Sequence, residues 1–303
     1  MRVEESLEKI VVFAPAKLNL YLRVLGKRSD GFHELQTLIC FISLYDQITL
    51  QPHREQDGLV VSWATGSAGG DLERRVISTW NPNNLIVRAV ELFRARSGIR
   101  RPVRICLQKR IPARSGLGGG SSDAAAVLWG LNRLYRLGLS REQLAGWAAE
   151  LGSDVPCFLY SGLCLCTGRG EQVQPLGWLP RLHAVVVFPP QGLSTAEVYG
   201  HWNESEQGKG PGIREAVRAW GQGSPAAWRN GLFNSLEPVA RKLCPGLQQL
   251  RRHLESRGHW AGQLSGSGSA YFVLCRNRVQ ARRLARQLAA EGWGRCWAVS
   301  TTV

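Results

Sequence analysis

The chain has 303 residues, 44% hydrophobic and 20% charged, a balance that excludes intrinsic disorder and leaves room for about two domains. Lys and Arg number 38 against 23 Asp and Glu, a formal net charge of +15; the basic residues are scattered, which argues against a nucleic-acid footprint and suits a polyanionic small substrate. No apolar run approaches the ~18 residues of a membrane span, and the opening MRVEESLEKIVVF carries acids where a signal peptide carries cations, so the expectation is a cytoplasmic protein with no membrane partner.

Residues 10–24, IVVFAPAKLNLYLRV, alternate apolar and polar positions after Pro15 and predict strands broken by a turn. Residues 37–50 predict two strands with Asp46 near the turn, and 58–63 predict another. Residues 64–83 read as an exposed loop. Asn83 is the predicted N-cap of a helix over 84–97, with Leu85, Ala89, Leu92 and Phe93 on one face. RPVRICLQK at 101–109 is a strand that leads into PARSGLGGGSSDAAA at 112–126, and a helix opens near Ser121 or Ser122. Ser140 predicts an N-cap, with Gln143 completing a capping box and Gly152 ending the helix. A strand pair follows through 162–173, and GWLPR around 177–181 marks a boundary between domains 1–177 and 178–303.

In the second block, HAVVVFPP at 183–190 starts with a strand. Helices are predicted near 195–202, 212–221, 245–257 and 278–291, with a strand into LSGSGSAYFVLC and a final strand at 293–300. Ser194-Thr195 reads first as a helix cap. The arginines of 276–286 read as a solvated helix face. Both blocks mix strands and helices, so the fold class is α+β with two domains. The eight cysteines form no C-x-x-C pair, which excludes zinc-ribbon and thioredoxin-like readings and predicts buried free thiols.

The glycine-rich stretch carries the strongest chemical signal. It joins a strand to a helix, where glycines permit close backbone approach and the first helical N–H groups face an anion. The hydroxyls of Ser121 and Ser122 can donate to phosphate oxygens or coordinate Mg²⁺. A serine-capped connection is the plainer alternative, but a cap needs one serine and no run of glycines. The Walker A, dinucleotide and protein-kinase patterns are all absent, so the phosphate site is of another kind.

The pattern P-x-x-x-G-L-G-G-G-S-S-D-A-A from Pro112 to Ala125 resembles the ATP-phosphate motif of the GHMP kinases. APAKLNLYLRVLGKRSDGFHELQT (14–37), LGSDVPCF (151–158) and LSGSGSAYF (264–272) extend the likeness over nearly the whole chain. They are similar to the branch that phosphorylates the 2-hydroxyl of 4-diphosphocytidyl-2-C-methyl-D-erythritol in non-mevalonate isoprenoid synthesis. The resemblance implies an N-terminal ribosomal-S5-like α/β domain and a C-terminal ferredoxin-like α/β sandwich. It implies ATP as co-substrate with Mg²⁺, a small diphosphocytidyl acceptor, no nucleic-acid partner, and a monomer or weak homodimer. Homoserine or mevalonate kinase activity is the alternative within the class. A basic nucleic-acid-binding protein is the alternative outside it.

Residue by residue, the resemblance assigns ATP binding to Pro112, Gly116, Leu117, Gly118, Gly119, Gly120, Ser121 and Ser122. It assigns catalysis to Asp154 as base and to Lys17, which it pairs with that aspartate. Asp154 read alone is also a turn residue, whereas Lys17 in an apolar strand is costly unless paired. Such a pair beside a glycine cradle is sufficient for phosphoryl transfer, which needs positioning and charge stabilisation. Asn19, on the same strand face as Lys17, is implied to lie near the acceptor. Phe32 and His33 are implied to stack on the cytosine and to hydrogen-bond its edge. Gly266, Ser267 and Gly268 are implied to line the cleft. No direct protein ligand to the metal is implied, Ser122 being the one candidate. Two positions depart from the family: Phe32 stands where Tyr is common, and Ser235 where Asp is usual.

Overall fold

Alternation along the first long strand sets the architecture. The computed structural model describes residues 1–6, 8–64, 72–78, 80–177, 179–206, 208–222 and 224–302. The chain forms two compact units: one of residues 1–16, 44–111 and 118–161, the other of residues 17–43, 112–117 and 162–303. Two long strands, β2 (Ile10–Lys27) and β3 (His33–Pro52), each run through both.

In the first unit, β1 (Arg2–Glu5) pairs antiparallel with the start of β2. β4 (Gly58–Ala64) pairs antiparallel with β5 (Leu72–Ser78) and parallel with β6 (Val103–Lys109). The second half of β3 pairs antiparallel with β6, Gln47 opposite Gln108 and Pro52 opposite Val103. Three helices pack together here: α1 (Leu85–Ser97), α2 (Gly119–Leu134) and α3 (Arg141–Leu151). A 3-10 turn at Pro156–Leu159 follows. The buried faces are apolar, Ile86, Val87, Ala89, Val90 and Phe93 on α1 and Leu144, Ala148 and Leu151 on α3. Ser140 and Gln143 form the expected capping box, and Gly152 is the C-cap.

In the second unit, β3 pairs with β7 (Leu163–Thr167), which pairs with β8 (Gln172–Gly177), all antiparallel. A four-stranded antiparallel sheet takes the order β11-β12-β9-β13, from β9 (His183–Phe188), β11 (Gly262–Leu264), β12 (Tyr271–Cys275) and β13 (Arg295–Ser300). A two-residue strand, β10 (Phe233–Asn234), lies parallel to β2 with Phe233 opposite Tyr21. The helices are α4 (Thr195–Gly200), α5 (Ile213–Gly221), α6 (Pro225–Gly231), α7 (Glu237–Leu243), α8 (Pro245–Ser256) and α9 (Arg278–Ala290). One core joins the sheet to helices α7, α8 and α9 through Val185, Val187, Val239, Leu250, Leu254, Val273, Leu284 and Leu288. Arg278, Arg282, Arg283 and Arg286 point to solvent on the outer side of α9.

Several sequence expectations need correction. Pro15 does not break β2: its φ suits an extended strand, it stands just beyond the stretch paired with β1, and its carbonyl accepts the Ser122 hydroxyl at 2.7 Å. β3 is likewise one strand, and Asp46 is buried within it rather than at a turn. Residues 72–78 of the expected 64–83 loop form β5, while 65–71 and 79 lie outside the described residues, as does 178 at the expected boundary. The cap of α1 is Asn84, one residue later than expected, its side chain accepting from the Ile86 N–H at 3.0 Å. α2 begins at Gly119, before the serines, because Gly118 takes the left-handed conformation (φ 72°) that starts the helix without a side-chain cap. Helices α6 and α7 had no counterpart in the sequence reading; both are short and carry proline in their first turn. The eight cysteines are thiols, six of them buried.

Candidate active site

The first unit carries the helix end of the glycine stretch. Because Gly118 offers no side chain, the N–H groups at the start of α2 have no side-chain cap, and Gly120 is exposed. Gly119 is buried: a Cβ there would stand 2.9 Å from Ile111 Cγ2 and 3.2 Å from Lys109 Nζ. Its glycine thus serves close packing on the end of β6. Ser121 is partly exposed, whereas Ser122 is buried with its hydroxyl turned to the Pro15 carbonyl.

Beneath this turn lies a buried charge cluster that the sequence reading missed. Lys109 Nζ bonds the Asp123 carboxylate at 2.7 Å and also the Asp46 carboxylate. Asp46 accepts the backbone N–H groups of Arg110 and Ile111 as well, fixing the chain as it leaves β6. Burial alone would lower the Lys109 ammonium, but Asp123 and Asp46 outweigh it and raise it. Burial, then the Asp46 charge, raises the Asp123 carboxyl well above the usual range. The one available signal was a lysine at the end of an otherwise alternating strand.

Asp154 also belongs to the first unit, in the turn between Gly152 and the 3-10 segment, where its carbonyl accepts the Cys157 thiol at 3.1 Å.

The second unit assembles the polar face of β2. Lys17 and Asn19 are both buried, and Lys17 Nζ donates to Asn19 Oδ1. Asn19 is itself held: its amide donates to Thr37 Oγ1 at 2.8 Å, and its N–H to Ser265 Oγ at 3.3 Å. Gln263 donates to the Asn19 carbonyl at 2.8 Å. The Lys17 N–H bonds the Leu117 carbonyl at 3.0 Å, so Leu117 pins the strand through its backbone while its side chain is buried. Pro112 is buried and its carbonyl accepts the Ser115 hydroxyl at 2.8 Å.

The C-terminal glycine turn closes on the same residues. Gly266 (φ 58°) would place a Cβ 3.2 Å from Asn19 Oδ1 and 3.3 Å from Lys17 Nζ. Gly116 (φ 77°) would place one 2.0 Å from the Ser265 carbonyl oxygen. Gly116 has no room for a side chain, and at Gly266 the neighbours would have to give by a few tenths of an ångström. Asn234 braces the turn by donating to the carbonyls of Leu264 at 2.9 Å and Gly266 at 2.8 Å. Gly268 (φ 89°) packs against Leu264, and Ser267 shares a 2.9 Å hydrogen bond with Thr195. Ser194 does sit at the N-cap of α4, but without a side-chain cap bond. Ser235 is buried and accepts the Val24 N–H at 3.1 Å.

At the β2–β3 hairpin, Phe32 is 47% exposed. The Arg169 guanidinium lies 4.9 Å from its centroid. The His33 ring lies 5.1 Å from Tyr199 and 5.7 Å from Trp202, an aromatic group with no motif to announce it. Burial, then the Lys27 charge, lowers the His33 imidazole, so at neutral pH it is the uncharged ring that can pair with a base edge.

Residues 84–162 match the GHMP kinases N terminal domain, and 213–293 match GHMP kinases C terminal. A 4-diphosphocytidyl-2-C-methyl-D-erythritol kinase of Protochlamydia amoebophila is 37% identical over 281 residues, covering 93% of this chain and 90% of that protein. The enzyme of the same name from Pelotomaculum thermopropionicum is 38% identical, covering 91% and 92%. A crystal structure of 4-(cytidine 5'-diphospho)-2C-methyl-D-erythritol kinase superposes with a TM-score of 0.79 at 36% identity, covering 97% of this chain and 99% of its own. Matched at both ends of the family pattern and by relatives along nearly its whole length, the two-domain α+β chain belongs to the GHMP kinases, in the branch of the 4-diphosphocytidyl-2-C-methyl-D-erythritol kinases.

Proposed function

We propose that the chain transfers the γ-phosphate of ATP to the 2-hydroxyl of 4-diphosphocytidyl-2-C-methyl-D-erythritol, as an enzyme of isoprenoid precursor synthesis. The observation that carries the reading is the buried Lys17–Asn19 pair under the Gly266 turn. An ammonium out of water, fixed by an oriented amide, is suited to charge that develops on a transferring phosphoryl group. Asp154 takes the proton of the acceptor hydroxyl as its oxygen bonds to phosphorus, and the bond to ADP breaks. The uncapped turn Gly118–Gly119–Gly120–Ser121 holds the ATP phosphates by its N–H groups, with Gly116 and Leu117 shaping the approach. Phe32 stacks on the cytosine and neutral His33 reads its edge.

We assign Mg²⁺ no protein ligand beyond the candidate Ser122, whose hydroxyl donates to the Pro15 carbonyl at 2.7 Å and keeps its oxygen lone pairs for a metal. The metal enters as the ATP complex, and no step here runs through a protein-held ion. We further propose domains of 1–177 and 178–303, which the two family matches support by falling on either side. A cytoplasmic monomer or weak homodimer without a nucleic-acid partner completes the proposal; among the described residues no helix is long and apolar enough to cross a membrane.

ADP release tests the reading, with the diphosphocytidyl acceptor compared against homoserine and mevalonate. Turnover with the first alone is expected. Equal or faster turnover with either of the others overturns it.

A further inference from the structure

The polar face of β2 continues past Asn19. Alternation places Lys17, Asn19, Tyr21 and Arg23 on one side, while Leu22 and Val24 on the other join the apolar core. Tyr21 is fully buried and Arg23 partly so. Both grip the segment 208–212. Tyr21 Oη donates to the Pro211 carbonyl at 3.1 Å and accepts from Arg23 Nε at 2.8 Å. Arg23 Nη2 donates to the carbonyls of Gly210 at 3.0 Å and Pro211 at 3.2 Å. The guanidinium lies 4.6 Å from the centroid of Phe233. The segment must be glycine where it crosses that ring, since a Cβ on Gly210 would stand 2.1 Å from it. Lys209 beside it is exposed.

Every contact of Arg23 is to a carbonyl, a hydroxyl or a ring, so among the described residues no carboxylate neutralises it. Arg94 and Arg251, also half-buried, are paired with Asp57 at 2.6 Å and with Glu237 at 3.0 Å, whereas Arg295 resembles Arg23 in lying over aromatic rings. A partly desolvated cation without a counter-ion keeps its full charge available to an incoming anion. In chain order along this face, Arg23 stands between Lys17–Asn19 and the hairpin that bears Phe32 and His33. The acceptor proposed above has the same order: a hydroxyl at one end, a cytosine at the other, and a diphosphate between.

We propose that Arg23, held in place by segment 208–212, is a specificity-determining residue whose guanidinium binds the diphosphate of the acceptor, with Lys209 supplying a second positive charge. With Nε given to Tyr21 and Nη2 to Gly210 and Pro211, Nη1 is the donor that meets a phosphate oxygen, and the hold by Tyr21 and Phe233 reduces the entropy that a free arginine would lose on binding. The inference rests on the proposed acceptor, and its test separates the two.

Cytidine and cytidine diphosphate are compared as competitive inhibitors of the ADP-release reaction. The wild-type protein should bind the diphosphate more tightly, by about tenfold to a hundredfold for a charge-assisted contact. Arg23→Met should bring the two inhibitors to nearly equal affinity while leaving cytidine affinity and the KM for ATP unchanged, and Arg23→Lys should restore part of the preference. Lys209→Ala lies on an exposed position and carries the test if Arg23→Met does not fold; it should lower the preference about twofold to fivefold by the removal of one solvent-exposed charge. An undiminished preference for the diphosphate in folded Arg23→Met, or in Lys209→Ala when that variant stands alone, overturns the inference while leaving the acceptor assignment intact. Failure of both inhibitors on the wild-type protein overturns the acceptor assignment and this inference with it.

Discussion

Gly266→Ala isolates the link between backbone shape and chemistry. Its φ of 58° lies in the left-handed region, where a residue with a Cβ costs about 1–2 kcal/mol. The added methyl would also meet Asn19 Oδ1 at 3.2 Å, Lys17 Nζ at 3.3 Å and the Gly116 carbonyl at 3.4 Å. The first two contacts are tight by a few tenths of an ångström, and neither neighbour yields cheaply. Asn19 is tied to Thr37, Ser265 and Gln263, and Lys17 is tied to Asn19. The backbone strain should lower Tm by roughly 2–8 °C, taking ~2–4 °C per kcal/mol for a protein of this size class. A protein with ordinary stability of ~5–15 kcal/mol stays folded at the assay temperature after such a loss. Displacing reacting groups by about 1 Å costs ~10²-fold, so a shift of a few tenths at Lys17 should lower kcat by roughly tenfold. Thermal unfolding and steady-state ADP release are measured on the same sample. A lowered Tm with kcat within twofold of wild type refutes the reasoning, because it makes the turn a structural element without influence on Lys17.

Asp154→Asn should lower kcat by ~10²–10⁴ with the KM values little changed, the usual scale for a positioned base; near-normal turnover removes the residue from that role. Gly119→Val should raise the KM for ATP and lower stability by about 1–3 kcal/mol, since the side chain would press on Ile111 and Lys109; unchanged ATP binding would locate the cradle elsewhere. Phe32→Ala should raise the KM for the cytidyl acceptor and leave that for ATP alone, as its half-exposed ring is the proposed stacking surface. For Asp123 the folded carboxyl titrates above its unfolded value, so its contribution to stability is present at acid pH and is lost as pH rises through the folded pKa. Urea denaturation of Asp123→Asn over a range of pH should therefore show a variant that gains on wild type as pH rises, and parallel pH profiles would contradict this.

The legible parts of the site were those where a local rule constrains few residues. Ser140, Gln143 and Gly152 declare a helix start and stop because the orphan N–H and C=O groups of a helix need partners within a few residues. The glycine stretch declares a strand-to-helix turn for the same reason, although the helix starts two residues before Ser121 because left-handed Gly118 can launch it. The alternation of β2 correctly put Lys17 and Asn19 on one face. The errors at Pro15 and Asp46 share one cause. Each residue type favours a turn on its own, yet each is satisfied here by a partner far away in sequence: the Ser122 hydroxyl for one, Lys109 and the backbone of 110–111 for the other.

The residue types and spacings of this chain by themselves determined the helix starts and stops and pointed to an anion-binding strand-to-helix turn, because those depend on hydrogen-bonding valence within a short stretch; the kinase class and the pairing of Lys17 with Asp154 came from the resemblance of its motifs to a family. Tertiary structure alone decided that Gly266 would press on Lys17, that Asp46 and Asp123 share one ammonium, and that Tyr21 and Arg23 hold residues 208–212. Those contacts join positions as far apart as 14 to 249 residues, counting from Lys109–Asp123 to Lys17–Gly266. No local periodicity encodes such pairings; they exist only once the strands have registered and the buried polar groups have found the partners that burial demands.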